Sequence, residues 1–379
     1  MMGTRIPSKA AMVAVLAGIC LVAGVGAQDD VPRYKVDPFW PKTLPHSWLI
    51  GHIEQIVIDR NDHIWVLNHT NTMEADDAGL AQSPKLSDCC LPSPQVLIFN
   101  TDGEVINHWG TRGWVPEWPE AVHAMALDQK GNVWIAGNHA PDRAALKFDR
   151  NGKHLMTIGR KEAGPPNNQD TTLLGGPASM LVDDSANELY VADGYLNKRV
   201  VVYDSETGKF KRGWGAYGKP LSEIDNQFPT YADKRLPQYV PGETPAKDFR
   251  GPVVGLRLSN DNILYVTDRT SNRVQLFTKQ GKFIREHFIA PKTLASGAPM
   301  AMAFSKDPQQ RLLFVADGGN QRIRILNRAD FKELSAFGHR GHNAGQFAYL
   351  DAIALDSQSN LYTGEVRYNN RVQKFILQK

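Results

Sequence analysis

Two carboxylates and one imidazole stand at equivalent places in a motif that repeats along the chain. Glu54, His123 and Asp351 each lie five residues before an aspartate that begins a turn. This donor set suits a divalent cation such as Zn²⁺, Mn²⁺ or Fe²⁺, whereas Ca²⁺ would want more oxygen ligands. The same three residues also fit a polar channel in which water and backbone groups satisfy them. The sequence leaves the metal site and the solvated channel both open.

Further polar side chains follow the second apolar run of each repeat. Tyr195 comes directly after Asp193-Gly194, and no other repeat has an aromatic residue at that place. Because a tyrosine or an imidazole beside a metal can transfer a proton, Tyr195 and His123 are the predicted catalytic residues. The ligand-binding residues predicted at the same edge are His69, Asn138, Arg269, Arg367 and Tyr368.

Apolar runs that recur six times must position these side chains. The run Glu188-Leu189-Tyr190-Val191-Ala192-Asp193 is typical: it follows a turn rich in Asp and Asn and precedes a second strand-forming run over residues 199–203. This spacing predicts four-stranded antiparallel sheets. One such sheet cannot bury both faces alone, so six are expected to stack around an axis as an all-β, six-bladed β-propeller. The acidic-to-arginine spacing, as in Asp193 to Arg199, resembles the signature of NHL-repeat propellers.

The ends of the chain and two insertions complete the predicted architecture. The sixth repeat stops one strand short, and residues 33–36 are expected to supply that strand and close the ring. Insertions at about residues 68–94 and 216–251 fall on the face that carries the strand-start residues. Loops of this length are usually functional or disordered. These two are predicted to form a lid over the axial opening.

The first 27 residues have the layout of a cleaved secretory signal peptide, with Arg5 and Lys9 before an apolar run that ends in small residues. Residues 28–379 would form one propeller domain, secreted or periplasmic, without a membrane span. Losing two basic residues lowers the formal charge from +3 to +1, which argues against nucleic acid as a partner. The expected partner is a small molecule or peptide in the axial pocket, or else a protein of the cell envelope, and a monomer is expected.

Cys89 and Cys90 are adjacent in the sequence and are the cysteines that remain in the mature chain. An oxidising compartment favours a disulfide between them. Adjacent Cα atoms across a trans peptide are only about 3.8 Å apart, closer than is usual for a disulfide. A vicinal disulfide would therefore be a rigid loop element, and two thiols without a role, or metal or redox chemistry, are the alternatives.

Residues 189–199, Leu-Tyr-Val-Ala-Asp-Gly-Tyr-Leu-Asn-Lys-Arg, resemble a blade of the peptidyl-hydroxyglycine amidating lyases. Those enzymes are six-bladed NHL propellers whose catalytic centre uses a tyrosine, an arginine and three zinc-binding histidines. The resemblance implies that Tyr195 is that tyrosine and that His123 is the first of the histidines.

The sequence departs from that family at three places. Val254 and Asp351 stand where the second and third histidines are expected, and the arginine position holds Asn68 or His69. Gluconolactonase-like propellers are similar in another respect, because they hold a divalent metal with a glutamate and an aspartate at strand-start positions, as Glu54 and Asp351 would.

Three classes of function agree with these residues. The propeller could bind a small molecule or peptide in its axial pocket without turnover, which is the broadest prediction. It could be a metal-dependent lyase or lactonase-type hydrolase, in which the metal polarises a carbonyl or activates water. It could also be a scaffold that docks an envelope protein on its rim.

Overall fold

Six antiparallel sheets of four strands each make up the fold in the computed structural model, which describes residues 1–3, 31–162, 164–165, 167–227 and 244–378. The predicted six-bladed β-propeller is confirmed. The innermost strands of neighbouring blades contact one another around the ring, including those of blades 6 and 1. The predicted signal peptide falls outside the described residues, apart from the first three, and so does much of the second insertion.

Each blade has four strands, which are named in order from the axis outwards. Blade 1 contains His52–Ile58, Ile64–His69, Val96–Phe99 and Val105–Trp109, and blade 2 contains Val122–Leu127, Val133–Gly137, Asp142–Phe148 and His154–Lys161. Blade 3 contains Pro177–Asp183, Glu188–Asp193, Arg199–Asp204 and Phe210–Trp214, and blade 4 contains Val253–Leu258, Ile263–Asp268, Arg273–Thr278 and Phe283–Phe288. Blade 5 contains Pro299–Phe304, Leu312–Asp317, Arg322–Asn327 and Glu333–Phe337, and blade 6 contains Leu350–Leu355, Leu361–Glu365, Val372–Gln378 and Arg33–Asp37.

The outer strand of blade 6 comes from the beginning of the described propeller. Arg33–Asp37 pairs antiparallel with Val372–Gln378, with Tyr34 opposite Leu377. The Tyr34 ring stacks on Phe337, at a centroid distance of 5.5 Å, and meets the edge of Phe314 in blade 5. The expected closure by an N-terminal strand is therefore confirmed, and aromatic packing against the neighbouring blade reinforces the backbone pairing.

Apolar side chains between neighbouring sheets form the core. Between blades 1 and 2, for example, Trp65, Trp118 and Phe148 are almost fully buried in one cluster. The turn before the outer strand of blade 2 places Gly152 against the Trp109 ring, where a Cβ atom would come within 2.8 Å. The backbone of Gly152 also has a φ of 85°, so the position favours glycine on both counts.

Ion pairs with a buried carboxylate connect the second strand to the third in four blades. Asp193 accepts a hydrogen bond from Arg199 Nε at 2.8 Å, and Arg199 also donates to backbone carbonyls of the segment that enters the blade. Asp268 with Arg273 and Glu365 with Arg371 repeat this pairing. In blade 5 the partner of Asp317 is Arg324 rather than the Arg322 that the repeat spacing suggests. These pairs tie loops to blades and are structural.

The first insertion is an ordered loop between the second and third strands of blade 1. Its segment Leu91–Pro92 pairs in parallel with Trp48–Leu49. Its short 3-10 helices are Thr70–Thr72 and Gly79–Ala81, and those elsewhere are Pro45–Ser47, Ala216–Gly218 and Leu221–Glu223. Within the described ranges, no helix is long and apolar enough to cross a membrane.

Candidate metal centre and axial cavity

A β-bulge at the same place in every innermost strand positions the strand-start residues. In each blade one residue has no partner on the second strand, because the pairing register shifts across it. A bulge bends the strand and re-aims the extra side chain, and bulges are common beside functional sites. The six bulged residues, from blade 1 to blade 6, are Glu54, His123, Ala178, Val254, Met300 and Asp351.

The three polar members of this set converge. Ligand atoms of Glu54, His123 and Asp351 all lie within 4.8 Å of one another. Glu54 Oε2 and His123 Nε2 are 3.5 Å apart, and both side chains are buried. Blades 6, 1 and 2 therefore bring two carboxylate groups and an imidazole to one side of the axis.

The hydrogen bonds of His123 fix which ring nitrogen faces this cluster. Nδ1 lies 3.0 Å from the Ala178 carbonyl oxygen, and because that oxygen can only accept, Nδ1 carries the proton. In the neutral ring Nε2 is then an acceptor, and the Tyr195 hydroxyl donates to it at 2.8 Å. Nε2 is thus the nitrogen that meets both Tyr195 and Glu54.

The turn that carries Tyr195 is held closely against its surroundings. The Tyr195 backbone amide donates to the Gly176 carbonyl at 3.1 Å. A Cβ atom on Gly194 would lie 2.4 Å from the Val253 nitrogen, so this turn needs a glycine before the tyrosine. The Asp193-Gly194-Tyr195 sequence therefore builds a fixed platform for the phenol ring.

The two carboxyl groups of the cluster have pKa values that are shifted in opposite directions. Burial raises the pKa of Asp351 to about 6, and the negative charge of Glu54 adds to the rise while His123 and two nearby arginines oppose it. Burial acts on Glu54 in the same direction, but the imidazoles of His69, His123 and His52 outweigh it, so the pKa of Glu54 lies below its usual value. Glu54 is the more firmly ionised of the two.

These residues open into an axial cavity of about 840 Å³. Four of the five ligand-binding residues predicted from the sequence line it: His69, Asn138, Arg269 and Arg367. Tyr368 does not; it is 63% exposed, and Arg340 packs over its ring at 5.9 Å. Arg367 instead lies over the Tyr349 ring at 4.4 Å. Described residues of the second insertion, among them Asp248, Phe249 and Arg250, form part of the wall.

Sequence reasoning missed several residues of this wall. His52 lines the cavity, as do Lys198 and Lys247. His52 could have been found, because it lies only two residues before Glu54 at the start of the same strand. The lysines carry no comparable signal, since their positions depend on how the loops fold over the cavity.

Cys89 and Cys90 form a disulfide in the first insertion, as predicted. Leu80 donates its backbone amide to the Cys89 carbonyl oxygen at 3.1 Å, which ties the disulfide to the preceding 3-10 helix. Neither cysteine is among the described residues that line the cavity, whereas Thr72 from the same insertion is. The disulfide belongs to the loop rather than to the cluster of Glu54, His123 and Asp351.

Comparisons with known proteins agree with this architecture. No protein-family model matches the chain. Peptidyl-glycine alpha-amidating monooxygenase of Mus musculus is 26% identical over 236 residues, which are 61% of this chain and 20% of the relative. Form B of that enzyme from Xenopus laevis is 28% identical over 169 residues, 43% of this chain and 16% of the relative. The chain thus spans about a fifth or less of the length of these relatives.

Two solved structures share the fold across nearly the whole chain. A streptogramin B lyase superposes with a TM-score of 0.53 at 14% identity, covering 91% of this chain and 98% of that one. A virginiamycin B lyase from Staphylococcus aureus has a TM-score of 0.50 at 13% identity, covering 91% and 100%. With the sequence relatives, these matches bear out an NHL-type propeller that resembles the amidating lyases.

Proposed function

We propose that this NHL-type propeller is a metal-dependent lyase whose reaction takes place in the axial cavity. The observation that carries the proposal is the 2.8 Å contact between the Tyr195 hydroxyl and His123 Nε2. It puts a group able to transfer a proton beside the nitrogen that faces two carboxylates. The similarity to amidating enzymes supports a lyase over other metal-dependent reactions, because Tyr195 and His123 match the tyrosine and one histidine of the amidating lyases.

The donor chemistry of the cluster fits a divalent cation. His123 donates its Nδ1 proton to a backbone carbonyl, an arrangement typical of metal-ligating histidines, and its Nε2 belongs to the cluster with Glu54 and Asp351. An ion bound to Nε2 would replace the hydrogen bond that Nε2 accepts from Tyr195. Two carboxylates this close repel each other unless a proton, water or a cation lies between them. Glu54, His123 and Asp351 would hold the ion, and their nitrogen and oxygen donors suit Zn²⁺, Mn²⁺ or Fe²⁺.

The proposed substrate carries a hydroxyl group on the carbon from which a nitrogen leaves, as in a hydroxyglycine peptide. A bound cation would act as a Lewis acid that polarises a substrate oxygen. Tyr195, as the phenolate, would accept the substrate hydroxyl proton as the carbon–oxygen double bond forms, and would pass a proton on to the leaving nitrogen. The carbon–nitrogen bond breaks with its electron pair on nitrogen, which takes up one proton, so the reaction consumes neither water nor an oxidant.

Two arginines in the cavity wall would help to bind and orient such a substrate. Arg269 and Arg367 lie close enough to Asp351 to act on it electrostatically. Their positive charges would attract an anionic group of the substrate and stabilise negative charge that develops during bond breaking. They take the place of the family arginine that blade 1 lacks.

The second candidate function is binding of a small molecule or peptide without turnover. It is favoured by Val254, an apolar residue at the bulge where the amidating lyases have a histidine. A ligand set with two carboxylates and one imidazole would make a weaker Lewis acid than three neutral imidazoles, because the carboxylates donate negative charge to the ion.

We also propose that the chain is exported. The charged, apolar and small-residue pattern of residues 1–27 supports this. The Cys89–Cys90 disulfide agrees with an oxidising compartment. N-terminal sequencing of the protein recovered from the periplasm or medium tests it. Export predicts a start near residue 28, and a retained Met1 would contradict it.

The lyase proposal is tested with a short acyl-hydroxyglycine peptide and purified protein. Release of the amide, followed by mass spectrometry, is expected from the wild type and from Val254→Ala, which changes a bulge residue that lacks a donor atom. His123→Ala and Asp351→Ala should lose both the metal and the activity. A metal-loaded wild type that binds the peptide but releases no product would favour the binding function instead. Full activity in a chelator-treated, metal-free protein would contradict the proposed dependence of the reaction on a metal.

A further inference from the structure

The two carboxylate oxygens of Glu54 face different histidines. Oε2 lies 3.5 Å from His123 Nε2, within the cluster already described. Oε1 lies 3.6 Å from His69 Nδ1 and 3.8 Å from His52 Nδ1. Glu54 is therefore placed between two separate nitrogen environments, and the proposed function uses only one of them.

The strand geometry of blade 1 sets His52 and His69 side by side. They are directly opposite each other in the antiparallel pairing of the first two strands. Cross-strand partners have Cβ atoms about 4.5–5.5 Å apart, and the Nδ1 atoms of both histidines lie within 3.8 Å of Glu54 Oε1. Glu54 follows His52 by two residues and occupies the bulge, so its carboxylate reaches the same pair.

Thr72 holds the two histidine backbones together. Its hydroxyl accepts a hydrogen bond from the His52 amide at 3.1 Å and donates one to the His69 carbonyl at 2.6 Å. The side chains of His52 and His69 are 23% and 14% exposed and both residues line the cavity. The pair is thus pre-organised by the backbone and open to an ion from the cavity.

The nitrogen-to-oxygen distances around Glu54 are longer than those of direct charge-assisted hydrogen bonds. Charge-assisted hydrogen bonds between nitrogen and carboxylate oxygen are about 2.7–2.9 Å long. Two donor atoms bound to one cation at about 2.1 Å each, in tetrahedral geometry, lie about 3.4 Å apart. The separations of 3.5, 3.6 and 3.8 Å around Glu54 are closer to the second value.

We propose that His52, His69 and Glu54 Oε1 form a second divalent-metal site, and that Glu54 bridges it to the site of His123 and Asp351. Two imidazoles and a carboxylate are a donor set suited to Zn²⁺ or Co²⁺. Two cations about 3.5–4 Å apart can clamp one substrate between them. The proposal rests on the proposed function only in that Glu54 is shared.

The two sites should differ in affinity. Arg367 lies close enough to His52 to act on it electrostatically, and its positive charge opposes a cation there. A first cation bound by Glu54, His123 and Asp351 would oppose a second one as well. The site of His52 and His69 is therefore expected to fill second.

The test is a titration of chelator-treated mature protein with Co²⁺. Bound metal is measured by elemental analysis after gel filtration, and visible absorption and electron paramagnetic resonance of the Co²⁺ are recorded. We expect two equivalents in the wild type, with spectral signs of coupled ions at the second. His52→Ala and His69→Ala should each bind one equivalent and lose the coupling. His139→Ala, an exposed histidine outside the cavity, should still bind two.

Each remaining outcome decides the matter. One equivalent in the wild type, lost in His123→Ala but kept in His69→Ala, would overturn the second site and leave the proposed function standing. No uptake by the wild type would overturn both. If His52 and His69 only hold Glu54 by hydrogen bonds, His69→Gln should bind its first Co²⁺ more weakly but reach the same total bound metal as the wild type. That result would also overturn the second site. Circular dichroism melts of the metal-free variants exclude misfolding as the cause of a loss.

Discussion

Tyr195 is the residue on which the proposed chemistry depends most directly, because its hydroxyl meets His123 Nε2 at 2.8 Å and faces the cavity. The phenol is also held by contacts other than its hydroxyl, since the Tyr195 amide bonds to Gly176 and the ring meets His123 edge on. The hydroxyl can therefore be removed without displacing the ring. That makes the proton-transfer role separable from packing.

Tyr195→Phe should lower kcat for the acyl-hydroxyglycine peptide by about 100-fold or more, the usual contribution of general acid–base catalysis. The metal content should stay at the wild-type value, because the tyrosine is not a ligand. Elemental analysis and steady-state kinetics on the same preparation check both parts. A decrease in kcat of less than about threefold, far below that usual contribution, would remove Tyr195 from the reaction.

At the same scale, Glu188 gives a test of stability rather than of function. Burial alone would raise its pKa, but hydrogen bonds from Arg212, Lys211 and Tyr190 lower it to about 2. A depressed pKa means that the ionised carboxylate stabilises the folded state above its unfolded pKa near 4.5, and that this contribution disappears as the pH falls towards 2.

Glu188→Gln should therefore lower the free energy of unfolding by about 2–3 kcal/mol at pH 7, the cost of breaking a buried charged hydrogen-bond group. The difference from the wild type should shrink as the pH falls below 4.5. Urea unfolding at pH 7 and pH 3 measures it. Glu104→Gln, at an exposed pair with Lys42, is the matched control and should change little. A constant difference at both pH values would contradict the argument.

At the scale of elements, the bulge and the closing strand matter most. A regular ladder would give each strand-start residue a cross-strand partner, whereas the bulge leaves it unpaired in all six blades. The closing strand contributes differently, since it covers the edge of Val372–Gln378, which would otherwise expose unpaired backbone groups. The bulge orients the site residues, and the closing strand completes the ring.

Removal of residues through Asp37 should lower the melting temperature by about 5 °C or more, because it exposes that edge and removes Tyr34 from Phe337. A chain that begins at Pro32 should melt like a chain that begins at residue 28. Scanning calorimetry of the two truncations checks this. Equal melting temperatures would mean that the pairing of Arg33–Asp37 contributes little.

At the scale of the whole molecule, repetition made the fold predictable. Six copies of one strand motif, counted from their turns, indicated the propeller, its closing strand and the three residues Glu54, His123 and Asp351 that converge. Counting worked because the bulge falls at the same place in each blade.

What could not be predicted lies where blades differ from one another. Blade 1 extends its pairing to His52 and His69, one position beyond the end that the repeat suggests. Asp317 pairs with Arg324 across a strand rather than with the arginine of the motif, and Tyr368 turns away from the cavity. These positions and pairings depend on the conformation of individual loops and on which of several nearby partners a side chain meets. A periodic sequence pattern contains no information about either.

The proposed chemistry requires a divalent metal among Glu54, His123 and Asp351. The most direct measurement is anomalous X-ray diffraction at the zinc edge from crystals of the mature protein grown with Zn²⁺. We expect a peak about 2.1 Å from His123 Nε2, with carboxylate oxygens of Glu54 and Asp351 as further ligands. Well-ordered crystals with no anomalous peak at this cluster would contradict it.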